Sequence, residues 1–165
     1  MFSVQESYDR LLDSEVFLNR GFLCGAFIMC DPKDLEVSNW QLDFYDNRTK
    51  KITSYVIADK VSILELNSEI FKEETSDVEE LDLKDVKTDF KKVIKEVKEK
   101  VRSRKETINK LIIILQQQDV AVWNVSAFTN TFNLINFKIN AKNSKLIDEK
   151  IVPLLSWDTG KEQKL

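Results

Sequence analysis

Histidine is absent from the 165-residue chain. The usual general base near neutral pH and the commonest metal ligand are therefore missing, and Ser-His-Asp and Cys-His machinery is excluded by inspection. Glycine and proline are scarce, at three and two residues, so most of the length belongs in regular elements rather than long loops. Gly21, Gly25 and Gly160 stand apart, and no Gly-rich loop that could cradle a phosphate is present. Long apolar runs are missing too. The longest, "FLCGAFIMC" from Phe22, is nine residues, half of what a membrane-spanning helix needs. It lies behind a charged segment and does not read as a signal peptide. Cysteine is limited to Cys24 and Cys30. Within one strand they would share a face about 20 Å apart, at ~3.3 Å per residue, too far for a bridge. Two buried thiols in a reducing compartment are expected. These absences predict a cytoplasmic protein that is not an enzyme, with no cofactor, no metal and no membrane contact.

What is present is ordinary for a soluble chain: 42% apolar and 32% charged residues with a net charge of −3. That balance gives no global attraction to nucleic acid or anionic lipid. The length suits one domain or two small ones, and a chain of this size buries roughly 70% of its unfolded surface without staples.

Periodicity divides the chain. "SVQESYDRLLDSEVFLNR" reads as a helix with Val4, Tyr8, Leu11, Leu12 and Val16 on one stripe. Ser3 and Glu6 form a capping box, and Gly21 is a stop signal. "FLCGAFIMC", apolar on both faces, reads as a buried strand, with a short buried helix as the alternative. "WQLDFY" alternates, and "ITSYVIA" returns after the polar turn "DNRTKK", with "VSILEL" extended beyond it. Residues 73–82 hold six acids and no base and read as an exposed acidic linker. The run from Asp82 to Lys105 is a second helix, with Val86, Phe90, Val93, Val97 and Val101 as its single apolar stripe and Asp82 as its cap. "NKLIIILQQQ", "AVWNVSAF" and "LINFKINA" follow as strands, and "KLIDEKIVPLLSW" as a last extended or short helical segment.

Sliding one half over the other by 83 residues aligns Trp40 with Trp123, Asn47 with Asn130, Ile52 with Ile135 and Ala58 with Ala141. Each half also begins with an amphipathic helix. The expectation is an α+β protein of two α-β-β-β units, each a helix packed on a three-stranded antiparallel sheet. The first unit spans 1–72, the acidic linker 73–82, the second unit 83–157 and a tail 158–165. An internal repeat would let two small units share one core.

In the second unit the order of elements and the ending "KINAKNSKLI" resemble PepSY-type domains and, more loosely, cystatin-like folds. PepSY-type domains commonly close with an Asp-Ala-x-Thr-Gly turn. Here the counterpart is Asn140-Ala141-Lys142-Asn143-Ser144, in which Ala141 matches and Asn143 is expected to take the left-handed conformation in place of glycine. The resemblance covers residues 84–152. It implies a non-catalytic module that binds or inhibits peptidases, usually outside the membrane, a setting whose export signal is not visible.

Three sets of residues are candidates for function. Asn136, Lys138 and Asn140 face away from the core of the return strand and are possible partner contacts. Trp40 and Trp123 are core anchors or the floor of a ligand pocket. Lys91, Lys95, Lys98, Arg102 and Arg104, within a stretch of ten bases and four acids from Lys84 to Lys105, are possible phosphate contacts. The interleaved acids and the lack of an interleaved aromatic platform on that helix disfavour nucleic acid. The expected function is a protein-binding or regulatory module with a protein partner or self-association. Nucleic-acid binding by the basic helix and small-ligand carriage in a pocket between the units are the alternatives.

Overall fold

The structure, a computed structural model, describes residues 1–69 and 78–155. The elements run α1 (Val4–Leu12), β1 (Phe22–Cys30), β2 (Trp40–Asp46), β3 (Lys51–Ile57), β4 (Val61–Glu69), α2 (Phe90–Ser103), β5 (Ile108–Gln117), β6 (Ala121–Thr129), β7 (Asn133–Asn140) and β8 (Leu146–Pro153). All eight strands lie in one sheet, in the order β4-β3-β2-β1-β5-β6-β7-β8. Every neighbouring pair is antiparallel.

This overturns the expected fold class. There are no two α-β-β-β units with separate three-stranded sheets. The molecule is mostly β, one continuous sheet with two helices, and the α+β description, the internal repeat and the cystatin-like picture fall with the units. The decisive contact joins β1 to β5, pairing Gly25 with Gln116, Ala26 with Leu115 and Cys30 with Leu111. It makes β1 a central strand, with Leu23, Ala26, Ile28 and Cys30 buried in the core and Phe27 and Met29 on the opposite face.

Alternation assigns the two faces. Leu23, Ala26, Ile28, Trp40, Leu42, Phe44, Tyr55 and Ile57 on one side of the centre meet Leu111, Ile113, Leu115, Trp123, Val125, Ile135, Phe137 and Ile139 on the other, in one buried cluster. Both helices contribute to that cluster, through Val4 and Leu11 and through Phe90, Val93, Ile94, Val97 and Val101. Helix α1 packs over β2 and β3, and α2 over β7.

Local chemistry sets the element ends. The Ser3–Glu6 capping box is formed, but α1 stops at Leu12, and Phe17 beyond it folds back onto Phe44 and Tyr55. Gly21 is not a helix stop. It has φ +75 at the entry to β1, where a Cβ would lie 2.0 Å from the Tyr45 carbonyl oxygen. Asp82 does not cap the long helix either; its carboxylate accepts from the Lys84 N–H at a single 3-10 turn, Leu83–Asp85. Asp89 caps α2, accepting from the Lys91 N–H. After β7 the left-handed residue is Ser144, φ 62, rather than Asn143.

A β-bulge shifts the register between Leu23 and Gly25 and breaks the expected parity of the cysteines. Cys30 belongs to the core cluster, whereas Cys24 does not, and its thiol donates to the Asp43 carbonyl oxygen at 3.2 Å. The acidic stretch is only partly described. Residues 73–77 of the expected linker, and the tail 158–165, lie outside the described residues. Of the remainder, Leu81 is buried in the core and its N–H donates to the Leu23 carbonyl oxygen at 2.8 Å, so residues 78–82 are anchored to β1 rather than a free strap.

Candidate functional site: an aromatic cleft, an uncovered face and an open edge

Strands β2 and β6 are separated by β1 and β5, about 14 Å apart at ~4.8 Å per strand step. Their tryptophans nevertheless meet over the sheet centre. The rings of Trp40 and Trp123 lie 6.0 Å apart, and Phe90 from the first turn of α2 sits 5.1 Å from one and 5.5 Å from the other. Both tryptophans are fully buried, so both are core anchors. They differ in one respect. The Trp40 indole N–H donates to the Phe2 carbonyl oxygen at 3.0 Å, whereas the Trp123 indole N–H is buried with no acceptor among the described residues.

Trp123 also lines a cleft of about 820 Å³ between the start of α1 and the approach to α2. Phe2, Val4, Leu83, Val86 and Phe90 supply apolar wall, and Lys84, Lys87 and Lys91 stand among the lining residues. The Glu6 and Asp89 carboxylates in the lining already accept from the backbone N–H groups of Ser3 and Lys91. Hydrogen bonds from Ser3 hold the Glu6 carboxyl below the usual glutamate range.

The second region is the sheet face opposite the helices. One row across it reads Val56, Gln41, Phe27, Ile114, Asn124, Lys138, Asp148. Polar groups near both ends of the face close on themselves. The Asp43 carboxylate accepts from Gln41 and Ser54, and the Asn136 side-chain amide donates to Asn124 at 2.6 Å and to Ser126 at 2.9 Å. Between them the paired residues Phe27–Ile114 and Met29–Ile112 form an apolar strip, with Met29 52% exposed.

Asn136, Lys138 and Asn140 do lie on that face, as expected, but two of them are already engaged. Asn136 is held in its network, and the Asn140 side-chain oxygen accepts from the Lys142 and Asn143 N–H groups of the next turn. Lys138 faces Asp148 across the last strand pair.

The basic candidates do gather: Lys91, Lys95, Lys98 and Arg102 line one shallow depression with Leu35, Glu36 and Glu99. Arg104 leaves the group and pairs with Glu149 on β8. Lys91 lies 3.7 Å from Glu36.

Two features escaped the sequence reading. Glu106 accepts from Thr129, Thr131 and Asn133, and hydrogen bonds from Thr129 and then Thr131 hold its carboxyl below the usual range. The alternation Thr129-x-Thr131-x-Asn133 was the available signal. The other feature is the sheet edge. On β8, Leu146, Ile147, Ile151 and Val152 are all exposed, and among the described residues β7 is its single neighbour in the sheet order.

Among the described residues no three cysteine or acidic side chains converge on a metal-binding group, and no helix is long and apolar enough to cross a membrane. Burial pushes the Cys30 thiol up, away from the thiolate a nucleophile needs.

No family model matches the chain. No curated protein matches it. Among solved structures, a "putative lipoprotein" from Clostridium difficile 630 is similar in fold, with a TM-score of 0.54 and 14% sequence identity over 79% of this chain and 82% of that one. A likeness at that identity concerns the fold alone.

Proposed function

We propose that this chain is a non-catalytic protein-binding module that works by sheet extension, taking an extended polypeptide onto the free edge of β8. The observation that carries the reading is the character of that edge. An unpaired strand presents a row of backbone N–H and C=O groups as a template, and soluble proteins ordinarily blunt such edges with lysine, proline or a covering element. Over β8 the edge has one lysine, a proline only at its last position, Pro153, and four exposed aliphatic side chains before it. Main-chain hydrogen bonds would supply affinity and the alternate side chains specificity. The perturbed carboxylates support the non-catalytic part of the reading. Glu6 and Glu106 are consumed as acceptors within caps and turns, as is Asp46, through the Arg48 N–H. We place the module in the cytoplasm, because its two cysteines form no disulfide and thiols persist in a reducing compartment.

Panning a library of short extended peptides against the protein, with Ile147→Lys/Val152→Lys as the counter-target, tests the reading. Both positions are exposed, so the variant retains the fold while an edge lysine blocks pairing. Peptides that bind the wild type and lose at least tenfold on the variant are expected. Peptides that bind both equally, or no binders at all, would refute it.

A second reading, carriage of a small amphipathic ligand, is favoured by the unpaired indole N–H of Trp123 beside the aromatic cleft. The volume is that of a drug-sized site. A saturable change in tryptophan emission on titrating a medium-chain alkyl carboxylate, lost in Trp123→Phe, would support it; no saturable change would remove it.

A further inference from the structure

We infer that the strand received by β8 is the β8 of a second copy of this chain, paired antiparallel about a two-fold axis through Glu149. This rests on the reading of β8 as the docking edge and adds the identity and register of its occupant. The run Ile147-Asp148-Glu149-Lys150-Ile151 is nearly the same in chemistry read in either direction, and from Asp148 onward β8 pairs with β7 without a break. Opposed residues in an antiparallel pair share a sheet face, so the axis of a symmetric pair must pass through a residue rather than between two.

Centred on Glu149, the register sets Asp148 opposite the partner's Lys150 and Lys150 opposite the partner's Asp148. Ile147 then meets the partner's Ile151, where the regular pairing ends: the register shift between Leu146 and Asp148 puts Leu146 on the Ile139 side of the sheet and out of line with the partner's Val152. Two ion pairs and two aliphatic contacts form at once, because an isologous interface repeats each contact. Centring on Asp148 or Lys150 instead opposes like charges at the axis and places Glu149 against an isoleucine, which is unfavourable.

The one conflict in the favoured register is Glu149 facing the partner's Glu149. The fold resolves it from within each chain. Arg104, at the C-cap of α2, already pairs with Glu149, so the axis carries two carboxylates and two guanidiniums. Asp148 and Lys150 are 3.6 Å apart on the same strand, and pairing would set them in a four-charge square. Both helices of each copy would lie on the same face of one continuous sheet, with the apolar strip of Phe27, Met29, Ile112 and Ile114 on the other.

The test is a charge exchange read by sedimentation velocity, with near-UV circular dichroism confirming that each variant is folded. Wild type is expected to dimerise. Asp148→Lys and Lys150→Asp each turn two attractive contacts into repulsive ones, which raises the dimer dissociation constant by roughly tenfold or more. Each alone should sediment as a monomer at concentrations where wild type is dimeric. Mixed together, the two variants restore opposite charges at both positions and should form a heterodimer, a rescue that no intrachain pair can produce.

A wild type that stays monomeric at a few hundred micromolar overturns the inference and leaves the sheet-extension reading to the peptide panning. So does a dimer indifferent to both single variants, which would lie on β4 or the uncovered face instead. Monomeric singles that fail to recombine overturn the register.

Discussion

Trp40→Phe should destabilise this protein more than Trp123→Phe, although the two substitutions delete the same atoms from the same aromatic cluster. Both rings are fully buried and 6.0 Å apart, so the transfer and cavity losses nearly cancel in the comparison. The difference lies in the indole N–H. At Trp40 the substitution breaks the 3.0 Å bond to the Phe2 carbonyl, worth about 1 kcal/mol net. At Trp123 it removes a buried donor with no acceptor among the described residues, which relieves about 1–3 kcal/mol. The two costs should therefore differ by about 2–4 kcal/mol. At ~2–4 °C per kcal/mol for a chain of this length, that is a gap of several degrees in Tm. Urea unfolding followed by far-UV circular dichroism is the assay, because tryptophan emission changes with the substitution itself. The rings touch, so the double variant should be non-additive. Equal costs, or a larger cost at Trp123, would refute the reasoning and show that its N–H meets an acceptor such as an ordered water or a bound ligand.

Other consequences are open to measurement. Gly21→Ala forces a Cβ into the Tyr45 carbonyl at positive φ and should cost at least ~2 kcal/mol in urea unfolding; a neutral result would mean that the entry to β1 can relax. Leu81→Ala should cost about 2–5 kcal/mol, because this leucine from the acid-rich stretch is buried in the core, and a loss under ~0.5 kcal/mol, typical of surface positions, would show it contributes little. Glu106 has its folded pKa depressed by Thr129 and Thr131, so its contribution is present above the ordinary value of 4.5 and is lost as pH falls through the folded value. The stability gap between wild type and Glu106→Gln should hold steady above that value and shrink below it, and a gap that widens in acid would contradict the assignment.

The faces of the sheet were legible because alternation reports burial directly. Trp40, Leu42 and Phe44, and Ile135, Phe137, Ile139 and Ala141, all point inward as their spacing requires, and Phe90, Val93, Val97 and Val101 form the buried stripe of α2. The Ser3–Glu6 cap was legible from its own spacing. Edges were not. A strand's side chains tell which face is wet, but the neighbour is chosen through backbone groups that every sequence shares, so the β1–β5 junction and the merging into one sheet left no mark in the periodicity. The bulge at Cys24 was hidden for a related reason: a single extra residue inverts parity downstream while the run remains uniformly apolar. Leu81 passed unnoticed because six acids surround one leucine. Of the candidate contacts, Asn136 and Asn140 sit on the expected face, but only coordinates reveal that neighbouring residues already occupy their amides.

The β1–β5 junction also dictates an order of events during synthesis. Ala26 pairs with Leu115, so the seam between β1 and β5 cannot close until the chain through β5 has left the ribosome. Until then the most apolar strand of the nascent chain stands as an exposed edge, and closing so long a loop is slow in chains dominated by non-local pairing. That interval, rather than any weakness of the finished fold, is when this protein is most exposed to misassembly.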